Sequence, residues 1–230
     1  MKRLMQAWVL MPWVAMAQGT TAPEKTTPTQ TEAARVEDRQ RNFGAMLAPA
    51  VLPDGGSAVA GWVGAPEVGV SYRQGLSGWE LGGRARFDYL HLSTTVEAVG
   101  RWPVWSEGAW AVAPELGLGV TANPGSRYFD AQNLRGWFLR VDPALVATWR
   151  VVETVAALGT VEVPYDLGLS PSGTWRVKPL AGVGAEIYLG EDLTLSLLGQ
   201  LGVDVFKEVR GVTQSRLGYG ARLGLGVRLF

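Results

Sequence analysis

The sequence predicts an all-β chain, an antiparallel up-and-down transmembrane β-barrel of about ten strands behind an N-terminal signal peptide and a disordered tether. Three observations carry this. From Asn42 onward, apolar residues alternate with polar or small ones at period two over long stretches. The charges collect on one parity of those stretches, and the opposite parity carries none. Nine tryptophans and tyrosines lie on the charge-free parity, mostly toward strand ends, as two interfacial girdles require.

The elements follow in order. Lys2 and Arg3 precede an apolar run from Ala7 to Ala17 that closes on Ala15-Met16-Ala17, giving a charged region, a short apolar region and an A-x-A cleavage site over residues 1–17. The run is much shorter than the ~20 residues that span a bilayer as a helix, so it reads as a cleaved export signal. Its removal takes two basic groups from a chain with 21 Lys+Arg and 21 Asp+Glu, leaving a mature net charge of −2. Residues 18–41 are rich in Thr, Pro and Glu, hold almost nothing that could pack a core, and read as a disordered periplasmic tether. The barrel occupies 42–230, with strands expected near 43–51, 57–73, 79–91, 94–103, 109–121, 136–149, 154–163, 174–189, 193–206 and 215–230. Eight strands is the alternative if 43–73 packs differently. Turn chemistry marks Pro53-Asp54-Gly55-Gly56, Gln74–Gly78 and Gly190–Asp192.

Sorting the strands by parity gives two faces. The charged face receives Glu67 and Arg73, then Glu80, Arg84, Arg86 and Asp88, then Glu97, Arg101 and Glu115. It continues with Arg140, Asp142 and Glu162, then Arg176, Lys178 and Glu186, and ends with Asp204, Arg222 and Arg228. The apolar face carries the aromatic girdle, Tyr72, Trp79, Tyr89, Trp102, Trp110, Trp137, Trp149, Trp175 and Tyr219, and Trp62 is placed with it. A soluble sandwich would turn the apolar face inward, and a membrane barrel turns it to lipid. The polar face holds one lysine, Lys178, among many glycines, which suits a crowded lumen better than a water-facing sheet. Loop lengths agree. With the tether periplasmic, 52–56, 92–93, 122–135, 164–173 and 207–214 are extracellular and include the longest connections, while 74–78, 104–108, 150–153 and 190–192 are periplasmic.

On the signal peptide, alternating strands, aromatic girdles and terminal Phe230, the chain from Asn42 to Phe230 resembles the bacterial outer-membrane β-barrel proteins. The resemblance implies outer-membrane location in a Gram-negative cell, contact with outer-membrane lipids, and recognition of the last strand, ending at Phe230, by the barrel-assembly machinery. Phe230 has the opposite parity to Leu223, Leu225, Val227 and Leu229, a departure from the family pattern. The segment Ala65-Pro66-Glu67-Val68-Gly69-Val70 recurs as Ala113-Pro114-Glu115-Leu116-Gly117-Leu118, with looser forms at Pro143 and Pro179. Each of these prolines falls on the apolar parity, where periodicity alone gives no reason for it.

Composition leaves little chemistry. The balanced charge gives no pull toward nucleic acid. The absence of cysteine and the single histidine remove disulfides, thiol nucleophiles and thiolate metal sites, and no cofactor motif is present. The lumenal charges are expected to pair as Glu80 with Arg84, Arg86 with Asp88, Glu97 with Arg101 and Arg140 with Asp142, either plugging the lumen or selecting a permeating solute. His91, Ser93 and Glu97 are the only catalytic candidates, and the His-x-Ser spacing is similar to that of outer-membrane lipid A deacylases. The same resemblance implies an acyl-ester hydrolase. The expectation is a structural or surface-interaction barrel, or a narrow channel, with that hydrolase and a soluble exported binding sandwich as alternatives.

Overall fold

In the computed structural model, residues 52, 54–125, 134–190, 192–208 and 211–229 are described. The expected signal peptide, the tether, the strand at 43–51 and Phe230 lie outside these residues. The described chain forms thirteen β segments: β1 (Ser57–Ala65), β2 (Glu67–Leu76), β3 (Trp79–Asp88), β4 (Ser93–Arg101), β5 (Trp105–Glu107), β6 (Trp110–Asn123), β7 (Gly136–Val152), β8 (Val155–Glu162), β9 (Tyr165–Ser170), β10 (Ser172–Val177), β11 (Leu180–Tyr188), β12 (Leu193–Lys207) and β13 (Thr213–Leu229).

Three pairs of these segments are single strands interrupted once. β4 and β5 both run along β6, β8 and β9 both run along β7, and β10 and β11 both run along β12. Ten strands therefore pair antiparallel, each with the next in sequence, and β13 closes on β1 from Ser57↔Leu229 to Ala65↔Ala221. Closure leaves no free edge along that part of the wall. The hairpin joining β2 to β3 needs only Ser77 and Gly78, both at positive φ (40° and 94°), as a two-residue turn matching strand twist requires.

The number ten agrees with the sequence, but its make-up differs. Residues 57–73 are two strands, because the chain reverses around Pro66, which lacks the N–H to continue a ladder. That reversal shifts parity. On β1 the outward residues are Val59 and Val63, while Trp62 and Ala60 face the interior with Ser71 and Arg73. Trp62 therefore belongs to the lumen and not to the apolar face. Residues 52–56 are not a loop at the opposite end from 74–78. Gly55 donates to the Gly75 carbonyl (3.1 Å) and Gly75 to that of Gly56 (2.9 Å), so both stretches share the end at which β1 begins and β13 finishes, called here the terminal end. Most of the expected 164–173 loop is strand, since β9 and β10 carry the wall onward past Pro164.

The breaks account for the recurring prolines. Pro114 sits on β6 opposite the gap between β4 and β5, and Pro143 on β7 opposite the gap between β8 and β9. Pro164 and Pro179 occupy two gaps themselves. A missing donor is harmless where the neighbouring strand leaves the ladder. Each proline still accepts a bond from a neighbouring strand: Trp102 to Pro114, Val163 to Pro143, Lys178 to Pro164 and Val203 to Pro179, all at 2.9–3.1 Å.

Burial is inverted relative to a water-soluble domain. Val183 (75% exposed), Leu197 (61%) and Leu201 (64%) stand on the outside with many other large apolar residues, while Glu80, Glu186, Asp142 and Asp204 are almost wholly enclosed. An apolar exterior around an ionic interior is the arrangement of a transmembrane β-barrel.

Candidate functional site: the ion-paired lumen

At mid-height the lumen is crossed by one cluster. Arg84 on β3 reaches three carboxylates on three successive strands: Nε donates to Glu97 (2.7 Å), Nη1 to Glu115 (3.0 Å) and Nη2 to Asp142 (3.2 Å). Arg86 lies beside it and holds Asp142 (2.7 Å) and Glu97 (2.6 Å). Toward the terminal end Arg101 grips Glu115 (2.7 Å) and Arg73 grips Glu80 (2.8 Å). Glu80 also accepts the backbone N–H of Leu52 (3.1 Å), a fully buried residue at that mouth. Toward the opposite, distal end Arg140 meets Asp166 (3.2 Å), and Arg176 and Arg216 share Asp204 (2.7 Å each). Arg222 bridges Glu67 (3.0 Å) and Glu162 (3.4 Å).

These partners are set by register. Arg84 stands directly across from Glu97, Arg101 from Glu115, Arg140 from Asp166 and Asp204 from Arg216. Neighbouring strands are ~5 Å apart, whereas residues four apart along one strand are separated by ~13 Å. Glu80 therefore does not pair with Arg84, nor Glu97 with Arg101. Arg86 turns from Asp88 to Asp142, and Arg140 retains Asp142 only as a longer contact (3.8 Å) beside its shorter one to Asp166. Glu186 and Arg228 lie inside near the terminal end, and Lys178 lies inside near the distal end. Asp166, Arg216 and Trp62 complete the lumen and are absent from the parity-based set. Asp166 has a readable signal, since Tyr165, Leu167 and Leu169 share the opposite parity, in the alternation of the neighbouring strands.

Cavities line up along the axis. One of about 10 Å³ adjoins Arg73 and Arg228, and one of about 50 Å³ lies between Trp62, Arg73, Arg84 and Arg101. One of about 40 Å³ lies between Arg86, Arg140 and Asp166, and one of about 190 Å³ opens at the distal mouth. Arg84 lines the second and Arg86 the third, so the cluster is the partition between them. A water needs roughly 10–15 Å³, so the two spaces that flank the cluster have room for a few waters each and the smallest for one at most.

The girdle residues sit outside. Tyr72, Tyr89, Trp102, Trp110, Trp137, Trp149 and Tyr219 are exposed. Trp79 stacks on Trp102 (6.3 Å between centroids) and Trp110 on Trp149 (5.7 Å), both pairs toward the terminal end. Trp175, on the short segment β10, is half-buried.

The catalytic candidates are not brought together. β3 ends at Asp88, whose Oδ1 accepts the N–H groups of Leu90 (3.0 Å) and His91 (2.9 Å), and whose Oδ2 meets His91 Nδ1 (2.8 Å). His91 is thus a turn residue at the distal mouth, oriented by Asp88. Ser93 opens β4 and lines the cavity beneath, while Glu97 is enclosed with Arg84 and Arg86 and unavailable to orient an imidazole. Among the described residues no group of three His, Asp or Glu side chains could hold a metal ion.

The fold and lumen together define a ten-stranded, inside-out barrel with an ion-paired interior. No protein-family model and no curated protein matches the sequence. Solved structures with a similar chain path are a KdgM porin (7% identity over 76% of this chain and 99% of that one, TM-score 0.37) and the same porin in complex with disordered oligogalacturonate (8%, 76% and 98%, 0.36). A third is Ail, the attachment invasion locus protein of Yersinia pestis (12%, 77% and 100%, 0.35). The barrel assignment stands on the closed hydrogen-bond ring and the inverted burial, independently of these likenesses.

Proposed function

We propose that this chain is an outer-membrane barrel with a structural or surface-interaction role, its lumen closed at mid-height by the Arg84 cluster. The observation that carries the reading is the threefold use of one guanidinium: Arg84 ties Glu97, Glu115 and Asp142 from β4, β6 and β7 to β3. Buried ion pairs offset each other's desolvation only when such geometry is kept, so the cluster resists opening. The outward apolar band and its tryptophans support a lipid environment. In this reading the signal at 1–17 directs export, the strand ending at Phe230 engages the assembly machinery, the terminal end faces the periplasm and the distal mouth faces outward.

Conductance in a planar bilayer is the test. Wild type should pass negligible current. Replacing Arg84 and Arg86 together by alanine leaves Glu97 and Asp142 with only their longer contacts to Arg140 (4.0 and 3.8 Å), while Glu115 keeps Arg101, and should lower stability by about 3–5 kcal/mol or open a measurable path. A steady wild-type current whose ion preference reverses in the double variant would replace the closed barrel by a narrow selective channel, with the aligned cavities as its route.

A further inference from the structure

The barrel wall is not paired all the way up on every side. β1 turns into β2 after Ala65, so β13 loses its partner beyond Ala221, and Thr213–Gly220 ladder with β12 alone among the described residues. An unpaired strand edge leaves N–H and C=O groups seeking partners, a costly state beside lipid. One of these carbonyls, that of Tyr219, accepts a bond from Lys178 Nζ at 3.4 Å.

The cavity of about 190 Å³ wraps this edge. Its inner wall carries Arg176, Lys178, Asp204 and Arg216. Its other wall carries Leu217 and Tyr219, which belong to the outward, apolar parity of β13 and are 68% and 40% exposed. A space lined by both faces of one strand passes through the wall. Across it stand Pro66 and the β3–β4 turn residues Leu90 and His91.

We infer that this gap is a lateral portal that binds an amphiphile with a phosphate head group, the head seated on Lys178 inside the wall and the apolar chain lying outside along Leu217 and Tyr219. The inference rests on the membrane reading above. Charge complementarity selects the head. Three cations face one carboxylate, Asp204, which is clamped by Arg176 (2.7 and 2.9 Å) and Arg216 (2.7 Å), while Lys178 forms no ion pair among the described residues. The nearby Asp88 is turned toward His91. An excess of cations over carboxylates at the inner wall suits a phosphate oxygen, and the apolar outer half suits a chain rather than a hydrated free ion.

The full-length protein, refolded in dodecyl maltoside micelles, is titrated with dodecyl phosphate and followed by phosphorus NMR line broadening. Inorganic phosphate supplies the charge without the chain, and the micelle detergent the chain without the charge. Saturable binding of dodecyl phosphate is expected, about tenfold weaker in Lys178→Gln and retained in Lys178→Arg, with inorganic phosphate bound at least about tenfold more weakly than the amphiphile. Leu217→Ser should weaken the amphiphile and leave inorganic phosphate unchanged. Equal affinity for dodecyl phosphate and inorganic phosphate would reduce the site to a free-anion pocket, and binding indifferent to Lys178→Gln would overturn the portal. Heat-modifiable gel migration reports folding of each variant. A chain that folds as a soluble monomer without detergent defeats the membrane reading itself, whereas a folded barrel lacking Lys178-dependent binding defeats the portal alone.

Discussion

Gly117 is where the ion-pair cluster finds its room. A Cβ at this position would lie 2.7 Å from Glu97 Oε2 and 3.2 Å from Asp142 Cβ. The glutamate cannot swing aside cheaply, because Arg84 and Arg86 hold its other oxygen. Gly117→Val should therefore destabilise the barrel by about 1–3 kcal/mol, as overpacking does elsewhere. Urea unfolding in lipid vesicles would measure this, and a midpoint unchanged from wild type would mean that the cluster is slack. The sequence displays glycines beside charges on one parity, but nothing in the alternation tells which glycine opposes which acid. That knowledge requires the stagger of β4, β6 and β7, which local pattern does not encode.

At the scale of single elements, β1 separates what was legible from what was not. Alternation located β3, β4, β7 and β12 and their inward faces, because nothing interrupts the period within each run. It failed across Pro66, where a tight reversal between two apolar runs looks like one long strand. The consequence for β1 is specific. Val63 points outward at 59% exposure, and Trp62 faces the lumen beside Arg73 and Arg222. In proteoliposomes, a cysteine placed by Val63→Cys should react with a bilayer-embedded maleimide, and one placed by Trp62→Cys should not. The reverse pattern would restore the single-strand reading of 57–73. The lumenal pairings are not legible for a related reason: the period-two pattern offers partners along one strand, whereas the short distances run across the sheet.

For the molecule as a whole, the exterior is the solvent statement. Leu197, 61% exposed and flanked on neighbouring strands by Ala185 and Leu223, lies within the apolar band. Leu197→Arg should cost about 2–4 kcal/mol of folding stability in vesicles if the residue sits near the midplane, falling toward ~0–1 near an interface. A gain in stability would place this face in water instead. The unequal ladders around the ring bear on assembly as well. β12 and β13 zip together over the whole length from Leu193 to Lys207, a hairpin of neighbours in sequence, whereas β1 and β13 join only over Ser57–Ala65 and bring the start of the barrel to its end. Contacts between distant parts of a chain form slowly, since the loop between them must be ordered first. The seam between β1 and β13 is thus the last to close, and an open sheet with these two strands still apart is the intermediate that folding in a bilayer should accumulate.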